Sequence, residues 1–270
     1  MNINLVDVTQ GSCPIILGQP HSGTFVPDEI FTDLNELGRQ LSDTDWHVPQ
    51  LYEGLLDNVT VVKANFSRYV IDPNRDPQGT NLYPGQNSTG LVPFTTFDGE
   101  PIWKTEPTAD DIQQRLQIYH REYHQLLNEE IARVKSIHGI ALVYDCHSIR
   151  SEIPYLFDNL LPDLNIGDNS GKSCASEITA GIQNICQNIK SHTHVVNGRF
   201  RGGWTTRHYG KPKVGVHAVQ MELAQRAYLR SERVPFDYDE KKALSLRSLL
   251  SEILHEINTI ILEHSSGDSL

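Results

Sequence analysis

Val143-Tyr-Asp-Cys-His-Ser148 carries the apolar run Ile140-Ala-Leu-Val-Tyr144 directly into an aspartate and a histidine. The run is short, partly β-branched and preceded by a long helical pattern, which predicts a buried strand. Side chains two apart on a strand share a face, so Asp145 and His147 point the same way and Cys146 the other. Ligands of α/β sheets gather beyond the carboxyl ends of the strands, where His147 is expected. A carboxylate beside an imidazole fixes the tautomer of a metal-binding histidine. An ordinary strand end offers the same pattern, so the reading depends on partners elsewhere in the chain.

Outward from this run, further strands are expected at 14–17, 59–62, 69–71 and 214–223, and helices over 43–57, 108–137, 171–189 and 237–262. Thr108 is the expected cap, with acids behind it. Alternation over 214–223 puts Val219, Met221 and Leu223 on one face and Ala218, Gln220 and Glu222 on the other. Strands alternating with long helices predict an α/β fold: a mixed, mainly parallel sheet with helices on both faces. The stretch 73–107 is rich in Gly, Pro and Asn and far longer than a usual connection, as functional loops often are. Its length and composition raise the hypothesis that it closes over a substrate.

Composition narrows the function classes. The 270 residues carry a formal net charge of -11, which argues against a nucleic-acid partner. No apolar run is long enough to cross a membrane, and the first residues, Met1-Asn-Ile-Asn-Leu-Val-Asp-Val8, lack the basic start and apolar core of a secretory signal. Cys13, Cys146, Cys174 and Cys186 are widely spread, suggesting neither a zinc ribbon nor a disulfide framework. A single domain over 1–270 in a cytoplasmic protein is expected. There is no internal repeat, and the one low-complexity tract is the polar tail 265–269.

Several residues could partner His147. His21 ends a strand in Gln19-Pro-His-Ser-Gly-Thr24, where Pro20 and Gly23 shape a ligand-bearing turn. Two strand-end histidines and one carboxylate make a three-ligand zinc site with a position open to water. Asp43-Thr-Asp-Trp-His47 supplies the carboxylate: Asp45 is preferred, because Asp43 is explained as a helix cap and His47 as a solvated helix residue. Glu222 stands among apolar strand residues, and a buried carboxylate needs a partner, a metal or a proton. Beside an activated water it can act as general base. Arginines crowd Ser67-Arg-Tyr-Val-Ile-Asp-Pro-Asn-Arg-Asp76 and the Gly-rich 197–210, which carries Arg199, Arg201 and Arg207. Guanidinium forks bind carboxylates, so these segments fit a small dianionic substrate. No nucleophile elbow, phosphate loop or dinucleotide fingerprint is present.

Taken in order, these blocks resemble the N-formylglutamate amidohydrolase (N-formylglutamate deformylase) family over nearly the whole chain. They are Pro-His-Ser-Gly-Thr at 20–24, Asp-Thr-Asp-Trp-His-Val at 43–48, Ser-Arg-Tyr-Val-Ile-Asp-Pro-Asn-Arg at 67–75 and Leu-Tyr-Pro-Gly-Gln at 82–86. Asp-Cys-His-Ser-Ile at 145–149, Leu-Pro-Asp-Leu-Asn-Ile-Gly at 161–167, Asn-Gly-Arg-Phe-Arg-Gly-Gly at 197–203 and His-Ala-Val-Gln-Met-Glu-Leu at 217–223 follow. A more distant likeness to zinc carboxypeptidases and the aspartoacylase group implies a phosphorylase/hydrolase-like, three-layer α/β/α fold of the zinc-exopeptidase type. Those enzymes place a glutamate three residues after the first histidine, where this chain has Thr24, so the likeness does not hand over the third ligand.

The resemblance implies hydrolysis of N-formyl-L-glutamate to formate and L-glutamate in histidine degradation. His21, Asp45 and His147 are expected to hold a divalent metal, with zinc the expectation. Glu222 would be the general base and Arg68 an oxyanion donor, and Asn74 and Arg75 would bind the α-carboxylate. Arg201 and Arg207 are the candidates for the side-chain carboxylate, with Arg199 the alternative.

Overall fold

The computed structural model describes residues 4–80 and 85–267. Residues 82–84 of the Leu-Tyr-Pro-Gly-Gln block, the first three residues and the end of the polar tail lie outside them. Seven strands form one sheet: β1 (Val6–Thr9), β2 (Ile15–Gln19), β3 (Thr60–Ala64), β4 (Ala141–Ile149), β5 (Leu164–Gly167), β6 (His194–Val196) and β7 (Val216–Ala224). Their order is β1-β3-β2-β4-β7-β5-β6. β3, β2, β4 and β7 run parallel. β1 pairs antiparallel with β3, and β5 pairs antiparallel with β7 and parallel with β6. The sheet is therefore mixed and mainly parallel, as the alternation of strands and helices predicts.

Helices α1 (Asp28–Asp33) and α2 (Val48–Tyr52) lie between β2 and β3; α3 (Ala109–Arg115) and α4 (Arg121–His138) precede β4. A π-helical turn, Leu116–His120, joins α3 to α4 without a break. α5 (Ser176–Asn188) follows β5, α6 (Trp204–Tyr209) precedes β7, and α7 (Glu240–Gly267) comes last. Leu142, Tyr144 and Cys146 of β4 join Val219, Met221 and Leu223 of β7 in a core with α2, α5 and α7. Val143 and Ala141 of β4 and Ala218 of β7 face the other way, against Tyr123, Leu127 and Ile131 of α4. Helices thus cover both faces of the sheet. No described helix is long and apolar enough to cross a membrane.

Three sequence expectations are corrected. The helix expected over 43–57 shrinks to α2, because Leu41 and His47 sit in the left-handed region (φ 50° and 59°) and Pro49 opens the helix. No strand forms over 69–71: residues 68–70 make a turn, with Val70 N donating to Ser67 O. The helix expected from 171 begins at Ser176, since the preceding residues wrap around Asp168, which accepts from Gly171 N and Thr179 Oγ1. By contrast the helix from Thr108 has its capping box, Thr108 with Asp111, as the sequence suggests.

The parity of β4 and β7 positions the chemistry. On the α4 face, apolar Ala141 and Val143 give way to Asp145 and His147, and apolar Ala218 gives way to Gln220 and Glu222. The register pairs His147 with Glu222. Strand β4 runs on to Ile149, so His147 lies on the strand rather than beyond its end.

Candidate active site

His21, Asp45 and His147 come from three separate places and meet at one point. His21 sits in the turn after β2, Asp45 in the irregular stretch before α2, and His147 on β4; all are buried. His21 Nδ1 and His147 Nδ1 are 3.1 Å apart, Asp45 Oδ2 is 3.2 Å from His147 Nδ1 and 3.7 Å from His21 Nδ1. Bonds of 2.0–2.1 Å around a tetrahedral zinc place its ligand atoms roughly 3.3 Å apart. The triangle therefore has the size of three corners of such a site, and among the described residues it is the group of His, Cys and acidic side chains able to hold a metal.

The far nitrogen of each imidazole is held by a carboxylate. His21 Nε2 lies 2.6 Å from Asp72 Oδ1, and His147 Nε2 lies 3.0 Å from Asp145 Oδ2. A proton on each Nε2, the tautomer these partners favour, leaves both Nδ1 lone pairs facing Asp45. Asp145 was legible from its spacing to His147, whereas Asp72 was not singled out. Its signal was the same as for Glu222: a carboxylate adjoining the apolar Tyr69-Val-Ile71. Asp43 is not a helix cap. Its Oδ2 accepts from Tyr69 Oη and from Phe97 N, both at 2.8 Å, and burial pushes its carboxyl up to about 6. Nor is His47 a solvated helix residue: it is half-buried with Nε2 against Phe236 O.

Charge in the site is unbalanced. Asp45, Asp72, Asp145 and Glu222 are buried carboxylates, set against the guanidinium groups of Arg68 and Arg75. Burial pushes Asp45 up, but hydrogen bonds and charge from His147, His21 and Arg68 outweigh it and hold it well below the usual range. Burial alone would depress His147; Asp145, Asp45 and Glu222 instead raise it well above an ordinary imidazole. Arg68 Nη2 is drawn against His21 Nδ1. Each effect recruits positive charge to one point, as buried carboxylates demand, and a cation among these donors meets that demand while leaving both imidazoles neutral. The residues fit a divalent metal.

Glu222 stands across from His147 and lines the same cleft. Burial raises its carboxyl to about 7, opposed by His147 and Arg68 and reinforced by Asp45. Gln220 donates from Nε2 to Glu222 Oε2 (3.0 Å) and accepts from Gly203 N.

The arginines divide. Arg68, Arg75 and Arg199 line the cleft. Arg201 is exposed and Arg207 half-buried on α6, and neither is among the residues lining it. Arg207 Nε donates to Gly202 O and Arg201 Nε to Gly198 O. Asn74 also lines the cleft, with Nδ2 3.1 Å from His147 Nε2 and Oδ1 accepting from Thr205 N. The loop over 73–107 contributes Asn87, Thr89 and Phe97 to the walls.

Comparison with known proteins places the chain among the amidohydrolases. The profile of N-formylglutamate amidohydrolase matches residues 13–229, and the chain belongs to the N-formylglutamate amidohydrolase family. It is 43% identical over 251 residues to the N-formylglutamate deformylase of Pseudomonas putida, covering 92% of this chain and 93% of that one. The N-formylglutamate deformylase of Pseudomonas aeruginosa is 41% identical, with 92% and 94% covered. The crystal structure of N-formylglutamate amidohydrolase from Ralstonia eutropha shares the fold, with a TM-score of 0.74 at 23% identity over 97% of both chains. A protein of Agrobacterium tumefaciens does so at 0.72 and 17% identity, over 95% of this chain and 96% of that one.

Proposed function

We propose that this chain hydrolyses N-formyl-L-glutamate to formate and L-glutamate, as a step of histidine degradation, with zinc held by His21, Asp45 and His147. The observation that carries the reading is the triangle of three buried donor atoms, 3.1, 3.2 and 3.7 Å on its sides, in the same cleft as Glu222. The deformylases at 43% and 41% identity support the substrate.

When bound, the metal supplies an electrophile for the formyl oxygen and brings a water's pKa toward neutrality. Glu222 accepts the proton of that water as its oxygen attacks the formyl carbon. The same carboxyl then delivers the proton to the nitrogen as the C–N bond breaks, so that glutamate leaves as an amine. Arg68 donates to the oxygen that gains negative charge, a contribution of about 3 kcal/mol for a well-placed donor. Asn74 and Arg75 hold the α-carboxylate. Thr89 O and Oγ1 now meet Arg75 Nε and Nη2 at 2.9 and 3.0 Å, the two-pronged contact a carboxylate makes, so substrate displaces Thr89 from that edge. Arg199 holds the side-chain carboxylate in preference to Arg201 and Arg207, because it alone of the three lines the cleft. Phe97, Ile149, Leu156 and Phe200 furnish an apolar wall for the two methylenes between the carboxylates.

A substrate panel tests this. N-formyl-L-glutamate should have the highest kcat/KM among N-formyl, N-acetyl and N-succinyl glutamate, with N-formyl-L-alanine and short peptides far below. Preference for a larger acyl group or a peptide would move the chain to a related deacylase or carboxypeptidase activity with the same metal site.

A further inference from the structure

The helix running from α3 through α4 grips the segment that bears Asn74. Arg115 Nη1 donates to Val70 O at 3.3 Å, His120 Nε2 meets Arg75 O at 3.1 Å, and His124 Nε2 meets Pro73 O at 2.8 Å. The spacing along the helix is five residues, then four. In an uninterrupted α-helix, at 3.6 residues per turn, residue 120 would lie roughly 140° around the axis from residue 115. The π-helical turn Leu116–His120 absorbs the additional residue and brings Arg115, His120 and His124 onto one face.

Both imidazoles are buried, and burial holds both below the ordinary histidine range, His124 far below. A carbonyl only accepts, so the single proton of each neutral ring sits on Nε2. Tyr209 Oη faces His124 Nδ1 at 3.0 Å, consistent with that tautomer. Trp204 packs against both rings, at 5.6 Å from His120 and 4.6 Å from His124. Neither histidine lines the cleft.

Asn74 lies between the two clasped carbonyls. From the other side Thr205 N donates to its Oδ1, and Gly203 approaches so closely that a Cβ there would stand 2.4–2.7 Å from the Asn74 side chain. The backbone is held from behind and the side chain from in front. This leaves Asn74 Nδ2 directed at the cleft beside His147.

We propose that His120 and His124 are positioning residues for substrate, fixing Asn74 toward the α-carboxylate through the Pro73 and Arg75 carbonyls on either side of it. The inference rests on the reading that Asn74 binds substrate, and the test separates the two. His120→Leu, His124→Leu and the corresponding Gln variants are made in the native and Asn74→Ala backgrounds. For each, kcat, KM for N-formyl-L-glutamate, zinc affinity by calorimetry and Tm are measured.

Either Leu variant should raise KM by roughly 10- to 100-fold, since displacements of about 1 Å have effects of that order, with kcat and zinc affinity little changed. Gln, whose Nε2 can reach the same carbonyl, should restore most of the loss. In the Asn74→Ala background the Leu substitutions should add nothing further to KM. A lowered Tm with unchanged KM, or effects that add fully to Asn74→Ala, would overturn the positioning role. An unchanged KM in Asn74→Ala alone would remove Asn74 from substrate binding, and the positioning role with it. Should the Leu variants not fold, His124→Asn, whose amide is too short to reach Pro73 O, carries the same expectation.

Discussion

Replacing Glu222 by Gln removes a proton carrier and little else. The side chain keeps its length and can still accept from Gln220 Nε2, 3.0 Å away in the native protein. Burial lifts the Glu222 carboxyl to about 7, which matches a general base to a working pH near neutrality. Losing a positioned acid–base group usually lowers rate by 10²–10⁴-fold. In the proposed mechanism Glu222 serves both proton transfers, so we expect kcat to fall about 10³-fold, or ~4 kcal/mol of transition-state stabilisation. KM and zinc affinity should stay within a few-fold, because the substitution removes no proposed ligand and no arginine. The pH profile gives a second reading. Glu222 must be ionised to accept a proton, so kcat/KM in the native enzyme should fall as pH drops through the Glu222 pKa. A cation in the triad favours the ionised form, so that limb should lie at or below pH 7. The residual activity of the variant should lack it. Formate release measured across pH 5–9, with zinc content determined on the same samples, decides the matter. A variant retaining more than a tenth of native kcat, or keeping the acid limb, would refute the role of Glu222.

Three other substitutions have distinct signatures. His147→Ala removes one corner of the donor triangle and should weaken zinc binding about 100-fold or more, read by calorimetry, beyond the 10–100-fold typical of losing an outer partner. Arg199→Ala should raise KM for N-formyl-L-glutamate about 10- to 100-fold, the worth of a charge-assisted hydrogen bond. The same change should leave the slower turnover of N-formyl-L-alanine, which lacks the side-chain carboxylate, unaltered. Gly203→Ala drives a methyl into Asn74 and should raise KM by about 10-fold without loss of zinc, measured by steady-state kinetics and metal analysis.

The legible parts of this chain were those whose signal is local. The central strands β4 and β7 announce themselves through apolar runs, and a carboxylate or imidazole inside such a run stands out because burial of charge requires a reason. That logic singled out Asp145, His147 and Glu222, and it would have reached Asp72 had residues 68–70 been recognised as a buried turn. The short elements β1, β5, β6, α1 and α6 span too few residues to show a period. The misread helix over 43–57 failed at His47, whose left-handed backbone no residue spacing reveals. Asp45 nevertheless lies beside the two histidines, while Asp43, two residues away, accepts from Phe97 N. The choice among Arg199, Arg201 and Arg207 depends on how a Gly-rich loop lies against the cleft. The π-helical turn was equally hidden, since Leu116–His120 fits a regular helical pattern and only the contacts to Val70, Pro73 and Arg75 show the shifted register.

The central claim is that the His21–Asp45–His147 triangle holds a metal required for deformylation. Formate release from N-formyl-L-glutamate should be measured on metal-stripped protein before and after stoichiometric zinc is restored. No turnover is expected without metal, and full turnover at one zinc per chain. Undiminished activity in protein shown to be metal-free would contradict the claim. So would a protein that takes up no zinc and releases no formate.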